Sequence, residues 1–550
     1  MRQIKTNKKY IMICSVIFAI FLVIGYSFQN KGSFVYITKS PLLSILSIVV
    51  IAITLNLIID ALLELLKIFS KMKFKDTKFN RFFGKHIFII SLFTMLVGWS
   101  VYIIAFYPTI MTVDALNQLK QFFGLENYYT DSVVLLSPNV LITNHHPVIH
   151  TLLLGGTLKL GRMLFGNDNL GLFVYTIIQG GVLILSLAYS LSYLKKQKVK
   201  NRFLYILLGI YTFIGVFPFY AMTATKDVLY TAFIILFIIE IHKLLVNDSK
   251  MNSYQCIWIF ILSILISLMR NNGIVIVIPV LLFFLIQNKQ NRKKILGILT
   301  LFLVITIAYL KLILPAFNIS QISKREVLSI PFQQTARYAV KYNNEVTQEE
   351  RKIINKVLDY DKIRRNYLPN FSDPVKETFN KESTKEDLKD YFNVWRKQFL
   401  KHPMVYIEAT TSNIYGYFYP SLSEEYIYYK DLNQPLLKFI ANYGYKNYKE
   451  QFMDWHFNSL NKLRHKLIKI SKKQQYLPIV NSAINNWIIF LIVGYLISKK
   501  RNKELILLLP SIMTIFICIL SPVNNCFRYE MPIIFSNLMI LLLVYCKEKK

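Results

Sequence analysis

With 550 residues, of which 54% are hydrophobic, the chain has more apolar surface than one soluble core could bury, and an ordinary water-soluble protein is excluded. Lys and Arg outnumber Asp and Glu by 65 to 31, a net charge of +34, and much of the excess falls in short loops between apolar runs. That placement is the positive-inside pattern of membrane proteins, so the charge does not indicate a nucleic-acid partner. The sequence predicts an all-α polytopic membrane protein.

Two apolar runs open the chain, and we predict spans at about 11–27 and 41–68. The loop that follows carries six basic residues against the single acid Asp76, which places it in the cytoplasm. The six are Lys71, Lys73, Lys75, Lys78, Arg81 and Lys85. Residues 1–84 therefore form a first unit, and a third span at about 87–106 brings the loop of residues 107–150 to the outer face.

The segment 147–165 is predicted to be a juxtamembrane or re-entrant helix on the outer face. It carries three glycines and two cations, a poor composition for a helix that crosses lipid. These residues are Gly155, Gly156, Lys159, Gly161 and Arg162. Keeping this helix out of the membrane leaves the basic turn from Lys195 to Arg202 in the cytoplasm, as the charge rule requires.

The remaining apolar runs then alternate across the membrane, which gives about twelve spans with both termini cytoplasmic. They lie at about 170–194, 203–220, 228–246, 254–270, 273–288, 295–315, 479–498, 503–520 and 532–546. Residues 85–315 form the transmembrane core, and residues 477–550 hold the last spans. Residues 316–476 form an extracellular, mostly helical domain, with amphipathic helices predicted at Thr347–Leu358 and Ser383–Leu400.

A lone carboxylate and three cations come together at the outer face in this topology. Asp114 lies early in the outer loop, on a predicted short amphipathic helix, and Lys226, Arg270 and Arg528 lie at span ends on the same side. An enzyme needs such a set to hold a phosphate donor and deprotonate an acceptor. The alternatives are a solvated loop acid or an N-terminal helix charge for Asp114, cations that snorkel at span ends, and a local Lys226–Asp227 ion pair that caps a helix.

Six further residues are candidate substrate or acceptor contacts because the topology brings them to the same side. They are His146, Asn144, Asp227, Asn271, Arg337 and Glu530. His145, His146 and His150 suggest a metal ion, but no second ligand cluster with suitable spacing accompanies them, and a His-Pro loop corner is more often structural. No metal site is predicted.

The order of these motifs resembles the GT-C superfamily of polytopic glycosyltransferases. The shared features are a cytoplasmic N terminus, an Asp soon after a span in a long outer loop, a later His-Pro before an interfacial helix, and Arg528-Tyr529-x-x-Pro532 before a late span. YPTIMTVDALNQ, TKDVLY, RNNG and REVLSIPFQQTARY (Arg325–Tyr338) are similar to an uncharacterised Gram-positive membrane family related to that superfamily. The resemblance covers most of residues 85–550, and the first two spans look like an addition.

The resemblance implies an inverting glycosyltransferase that uses a polyprenyl-phosphate-linked sugar on the outer face of the plasma membrane. Asp114 would be the base toward an acceptor hydroxyl. Arg270, Arg528 and Lys226 would stabilise the leaving phosphate, and Arg337 would bind the same or an acceptor phosphate. The acceptor would be a cell-envelope glycopolymer or lipid, and the other partners are membrane lipids.

One departure from the superfamily concerns metal dependence. Some members have an adjacent acidic pair where this chain has Val113-Asp114-Ala115. No cofactor is therefore assigned, and a divalent cation stays an open alternative.

Two other functions remain as alternatives. A transporter or flippase of an envelope lipid would need ionisable residues near the midplane and repeated halves. Midspan charges are few, with Asp60 and Glu64 late in the second span and Glu240 late in another, and no repeat is found. A non-catalytic envelope scaffold with a sensory outer domain would leave Asp114 and the outer cations unexplained.

Overall fold

The structure, a computed structural model, describes residues 2–72, 77–125, 127, 129, 140, 142–246, 250–321, 323–420 and 452–546. The described part has isolated β-bridges but no strand, and its longer helices are numbered here in chain order. They are α1 Arg2–Lys31, α2 Pro41–Lys71, α3 Ile87–Ala105, α4 Val113–Phe122, α5 Val148–Phe165, α6 Asp168–Lys196, α7 Asn201–Phe213, α8 Lys226–Val246, α9 Ser253–Met269, α10 Gly273–Gln287, α11 Arg292–Ala308, α12 Ser329–Lys341, α13 Gln348–Val357, α14 Lys385–Lys401, α15 Pro403–Ile414, α16 Asn461–Gln474, α17 Ser482–Ser498, α18 Leu509–Ile519 and α19 Phe527–Cys546. Shorter helices lie at Val35–Lys39, Lys78–Lys85, Val216–Ala221, Leu314–Ala316, Lys324–Val327, Tyr360–Asn366 and Asp373–Lys376.

Eight helical segments of the described chain are long and apolar enough to cross a membrane. They are Lys9–Lys31, Pro41–Lys71, Ile87–Ala105, Val148–Phe165, Asp168–Lys196, Lys226–Val246, Lys289–Ala316 and Phe527–Val544. The helices α9, α10, α17 and α18 are apolar and somewhat shorter. These helices confirm the prediction of an all-α membrane protein, and a single large core of buried apolar side chains joins most of them.

The predicted span at 203–220 is not one helix. It is divided into α7 and the short helix Val216–Ala221, because the backbone turns at Gly215, whose N–H donates to Gln474 Oε1 at 2.6 Å. A Cβ atom at this position would lie 2.4 Å from Ser471 Oγ and 2.6 Å from Tyr102 Oη, so any larger residue would force these side chains to move.

The last span begins earlier than predicted. α19 starts at Phe527 and includes Pro532 as its sixth residue, although an interior proline costs the helix a backbone hydrogen bond. Arg528 and Glu530 therefore lie in the first turns of the helix, and their predicted placement in a loop before the span is wrong.

Residues 323–420, which belong to the predicted extracellular domain and are called the outer domain here, have their own core and the two predicted amphipathic helices. α13 and α14 both begin with a capping box, in which Thr347 and Thr384 accept from the backbone N–H three residues later. Their apolar faces meet α12 in a buried cluster that includes Phe332, Ile354 and Tyr391.

The helices α4, α5 and α6 pack closely because glycines line their contacts. A Cβ atom on Gly155 would lie 2.1 Å from the Phe122 ring of α4, and one on Gly161 would lie 2.3 Å from the backbone nitrogen of Gly171 in α6. Gly155 and Gly161 thus let α5 lie close to its neighbours, whereas a Cβ atom on Gly156 would meet open space. This packing fixes α4, and with it Asp114, against the body of the protein.

The basic loops at one end of the helices lie side by side. Lys200 Nζ donates to Ser70 O at 2.6 Å, and Asn201 Nδ2 donates to Asn80 O at 2.8 Å. The turn between α6 and α7 is therefore next to the loop that follows α2. At the other end, the turn after α1 contacts the outer domain through Gly32 O, which accepts from Arg337 Nη2 at 2.6 Å.

Candidate active site

Two backbone hydrogen bonds bring the loop after α3 to the segment that precedes α8. Ile110 N donates to Met222 O at 2.8 Å, and Ala224 N donates to Ile110 O at 2.9 Å, which forms a short parallel bridge. Asp114 and Lys226 each follow this bridge by a few residues. Residues more than a hundred positions apart in sequence are thus held at one place.

A second bridge fixes the Asn-His-His-Pro corner. Asn144 N donates to Ser320 O at 2.7 Å, and the side chain of Asn271 donates to Asn144 O at 2.7 Å. Asn271 lies in the turn that follows Arg270, so this bond ties that turn to the corner that carries His146. The side-chain oxygen of Asn144 is buried and has no hydrogen-bond partner in the described part of the chain.

Asp114 lies in the first turn of α4 and binds Arg528. Thr112 caps the helix by accepting from Ala115 N at 3.1 Å, and its own hydroxyl donates to Ala224 O at 2.9 Å. Arg528 Nη1 donates to Asp114 Oδ2 at 2.9 Å. The Arg528 side chain is 14% exposed and the Asp114 side chain is 23% exposed, so solvent reaches the pair.

His146 lies between Lys226 and Asp114. Its Nδ1 is 2.7 Å from Lys226 Nζ, and its Nε2 is 3.9 Å from Asp114 Oδ1. With the lysine ammonium as donor, Nδ1 accepts, and the proton of a neutral ring lies on Nε2. His146 is 2% exposed, and Nε2 has no hydrogen-bond partner among the described residues. A buried donor therefore faces the carboxylate from just beyond hydrogen-bond distance.

Burial and charge set the protonation states of these two groups. Burial lowers the pKa of His146 well below its usual value, and the adjacent Lys226 lowers it further, so the ring is neutral near pH 7. Burial opposes ionisation of Asp114, but the charges of Arg528 and Lys226 outweigh it and hold the pKa of that carboxyl well below its usual range. Asp114 is ionised throughout the physiological range.

Arg270 is an interior residue with its own carboxylate partner. Its Nη1 is 3.1 Å from Asp227 Oδ1, and the two side chains are 8% and 1% exposed. The guanidinium lies over the Tyr529 ring at 4.4 Å from its centroid. The snorkelling alternative for Arg270 is therefore wrong, and the described ion pair of Asp227 is with Arg270 rather than with the adjacent Lys226.

These five charged groups do not cancel. Three cations, Lys226, Arg270 and Arg528, interact with two carboxylates, Asp114 and Asp227, so the cluster has an excess of one positive charge. A partly buried excess of positive charge with arginine forks is suited to bind an anion such as a phosphate.

The outer domain contacts the cluster through His145. Its Nδ1 is 4.0 Å from Glu326 Oε1, and Glu326 Oε2 accepts from the buried Lys376 Nζ at 2.6 Å. Burial opposes ionisation of Glu326, but Lys376, His145 and Arg325 outweigh it and lower the pKa of this carboxyl to about 2. Sequence reasoning missed this contact, although Glu326 lies within a motif it singled out.

Tyr129 was also missed. Its ring stacks on His145, with centroids 4.1 Å apart, and meets the His146 ring edge-on at 4.7 Å. It thus holds both imidazoles in place. Nothing in the tyrosine-rich sequence distinguishes this tyrosine from the others.

The three histidines do not converge on a metal site. His150 Nδ1 is 2.5 Å from Gln118 Oε1, and its Nε2 is 2.6 Å from Tyr175 Oη, so it binds within the α4, α5 and α6 packing. Within the described ranges no group of three His, Cys, Asp or Glu side chains is placed to hold a metal ion. Because Asp114 is already bonded to Arg528, the residues fit an anion better than a cation.

Two predicted candidates lie apart from the cluster. Arg337 Nη2 donates to Glu408 Oε2 at 2.8 Å, and Nη1 donates to Tyr367 Oη at 3.0 Å, so Arg337 binds within the outer domain and to the turn after α1. Glu530 is fully buried and accepts from Asn486 Nδ2 of α17 at 3.1 Å. It faces away from Arg528 because residues two apart on a helix point in nearly opposite directions.

Apolar helices and a charged cluster at their ends define an all-α membrane protein with a buried polar site. The chain belongs to a family described as a family of unknown function, DUF6020, whose family model matches residues 3–550. The match includes the first two membrane helices, so these are part of the family pattern. Comparisons with curated proteins and with solved structures gave no match.

Proposed function

We propose that the chain is an integral-membrane glycosyltransferase that uses a polyprenyl-phosphate-linked sugar. The acceptor is an envelope glycopolymer or lipid on the outer face of the plasma membrane. One observation carries the proposal: the Asp114 carboxylate is 2.9 Å from Arg528 and 3.9 Å from His146, inside a cluster with more cations than carboxylates. A base and an anion site thus share one place at the helix ends.

The contact between Asp114 and Arg528 indicates how the donor would act. A donor phosphate and Asp114 would compete for the same guanidinium, and a phosphate that takes Arg528 leaves Asp114 more basic. The acceptor oxygen then bonds to the sugar carbon as the bond from that carbon to the phosphate oxygen breaks. Asp114 takes the hydroxyl proton, and the phosphate leaves with the electron pair, stabilised by Arg528 and Lys226. Because the acceptor displaces the phosphate directly, the configuration at the sugar carbon is inverted.

The packing of the loops supports the predicted topology of about twelve spans. The loop after α2 and the turn between α6 and α7 lie at one end of the helices, through the contacts of Lys200 and Asn201. An even number of crossings must separate them. Because α3 and α6 are both long enough to span, α5 would lie on the side of the site, although its own length and composition would allow a crossing.

Labelling in intact cells tests this topology. We expect Lys196→Cys to be protected from an impermeant thiol reagent, because Lys196 is an exposed residue at the predicted cytoplasmic turn. Lys352→Cys, exposed on the outer domain, is the control and should react. Equal labelling of the two positions would contradict the topology and place the turn and the outer domain on one face.

Substitution of Arg528 tests the donor site. Arg528→Lys keeps the charge but loses the fork, so we expect donor affinity to fall roughly 10- to 100-fold, the loss of one charge-assisted hydrogen bond. The measurement is binding and transfer with purified protein in nanodiscs and a panel of radiolabelled polyprenyl-phosphate sugars. Arg365→Lys, on the exposed side of the outer domain, is the control and should be unchanged.

The same preparation distinguishes the main alternative. If the wild type moved a labelled polyprenyl lipid across vesicles and transferred sugar from no donor in the panel, the transporter hypothesis would replace the proposal. Wild-type transfer by both Arg528→Lys and Arg528→Ala would place the donor elsewhere.

A further inference from the structure

The helix α16 lies across the ends of membrane helices, at the same end as the candidate site. Arg464 Nη1 donates to Ala105 O, the last residue of α3, at 2.9 Å, and Gln474 Nε2 donates to Phe213 O, the last residue of α7, at 3.1 Å. Just before α16, Trp455 Nε1 donates to Thr109 O at 3.3 Å. Thr109 belongs to the same outer loop as Asp114. The helix and the site therefore share one end of the helix bundle.

The two faces of α16 have different partners. Arg464, Leu467 and Ser471 are buried at helical spacing and pack on the membrane helices. The opposite face consists of exposed lysines: Lys462, Lys466, Lys469, Lys472 and Lys473. No acid occurs between residues 455 and 503, and these lysines form no ion pair with any residue that the structure describes.

Exposed apolar side chains border the lysine face. Leu460, Ile470, Tyr476 and Leu477 are all exposed, on α16 or directly beside it. Phe213, to whose carbonyl the helix binds, is 71% exposed on the membrane helix below. Lysines next to exposed apolar and aromatic side chains, at the end of a membrane helix, are typical of a helix in the lipid headgroup region.

The charge of α16 is also unusual for its location. The positive-inside rule favours basic segments at the opposite end, where the loops after α2 and α6 lie. Five lysines and Arg464 within Asn461–Gln474 depart from that rule at the end that carries the site. The positive-inside rule accounts for the other basic loops but not for α16. The charges of α16 therefore need a separate explanation.

We propose that α16 is an interfacial helix that binds anionic phospholipid headgroups in the leaflet that contains the site. Lys462, Lys466, Lys469 and Lys473 supply the charge, since they are exposed at spacings of one, two and three helical turns. The side chain of Ile470 enters the acyl boundary. This lipid contact does not depend on which reaction the site performs.

Quenching of a fluorophore by brominated lipids tests the contact. Ile470→Cys is labelled in a chain whose Cys256 and Cys546 are serine, and the protein is reconstituted with brominated phosphatidylglycerol or brominated phosphatidylcholine at equal fractions. Each lysine near an anionic surface contributes a preference of about fivefold. We therefore expect phosphatidylglycerol to quench at least about twofold more strongly, and the difference to shrink in high salt.

A matched pair of variants assigns the effect to α16. Changing Lys462, Lys466, Lys469 and Lys473 together to Gln should abolish the preference for phosphatidylglycerol. The control removes the same charge from the exposed face of the outer domain, with Gln at Lys352, Lys385, Lys389 and Lys397, and should keep the preference. Loss in both variants, or in neither, would overturn the proposal.

A soluble polyanion distinguishes a lipid from an anionic polymer. Inorganic polyphosphate is added to the wild type in purely zwitterionic vesicles. If it shifted the fluorescence of the Ile470→Cys label while phosphatidylglycerol did not quench more than phosphatidylcholine, the surface would be a polymer site, and the lipid assignment would be wrong. Absence of a polyphosphate effect, together with selective quenching, supports the lipid.

Discussion

Asp114→Asn should insert, purify and bind donor lipid, yet transfer sugar at least about a hundredfold more slowly than the wild type. General-base catalysis contributes roughly 10²–10⁴-fold, or about 3–5 kcal/mol of barrier. The amide keeps the shape of Asp114 but can take no proton from an acceptor hydroxyl. The measurement is single-turnover transfer with saturating donor, beside donor binding and thermal unfolding of the same preparation.

Two variants separate catalysis from the ion pair with Arg528. Asp114→Glu keeps the charge and moves the carboxylate, so it should restore thermal stability more fully than transfer. Asp361→Asn removes a carboxylate that is 63% exposed on the outer domain, and should stay within a few-fold of the wild type. The other acids of the outer loop, Glu126 and Asp131, lie outside the described residues. Transfer by Asp114→Asn at the control rate would show that Asp114 is not the base.

Asp227→Ala should cause the largest loss of stability of any single change at the site. It leaves Arg270, whose side chain is 8% exposed, without its carboxylate, and also removes the acceptor of a 2.8 Å hydrogen bond from Thr225. Breaking a buried pair on one side typically costs about 3–5 kcal/mol. The measurement is thermal unfolding of the detergent-solubilised protein, where Asp361→Ala should change stability by no more than about 0.5 kcal/mol.

The double variant Asp227→Ala/Arg270→Met shows whether unpaired charge is the cause. It removes both charges and fills most of the arginine volume, so it should recover more than half of the lost stability. A single variant as stable as the wild type would mean that the pair does not support the site. A double variant less stable than the single one would mean that Arg270 has another buried partner of equal weight.

The charged cluster could be predicted from sequence because the positive-inside rule sorts loops by side. Once the basic loops are placed, Asp114, His146, Lys226, Arg270 and Arg528 share a face, and the structure brings them together. The ion pairs within the cluster could not be predicted, because knowing that two residues lie on the same side of the membrane does not give the distance between them. Asp227 follows Lys226 directly, but its ion pair is with a residue from another helix end.

The same limit explains the misplaced candidates. Arg337 is on the same predicted side as the cluster, but its ion pair is with the buried Glu408 of α15. Glu530 follows Arg528 by two residues, and only knowledge that α19 begins at Phe527 shows that the two side chains diverge. Because a proline favours the first turn of a helix and disrupts its interior, the sequence suggests a start near Pro532 rather than at Phe527.

The bonds between the turn after α1 and the outer domain bear on the order in which the chain is made. Gly32 O and Phe34 N bind Arg337 and Glu408, partners 305 and 374 residues later in the chain. Most of the protein must therefore be synthesised before this early turn can form these hydrogen bonds. Until residue 408 is made, the turn after α1 does not have both partners, although the far end of α2 can already bond to Lys200.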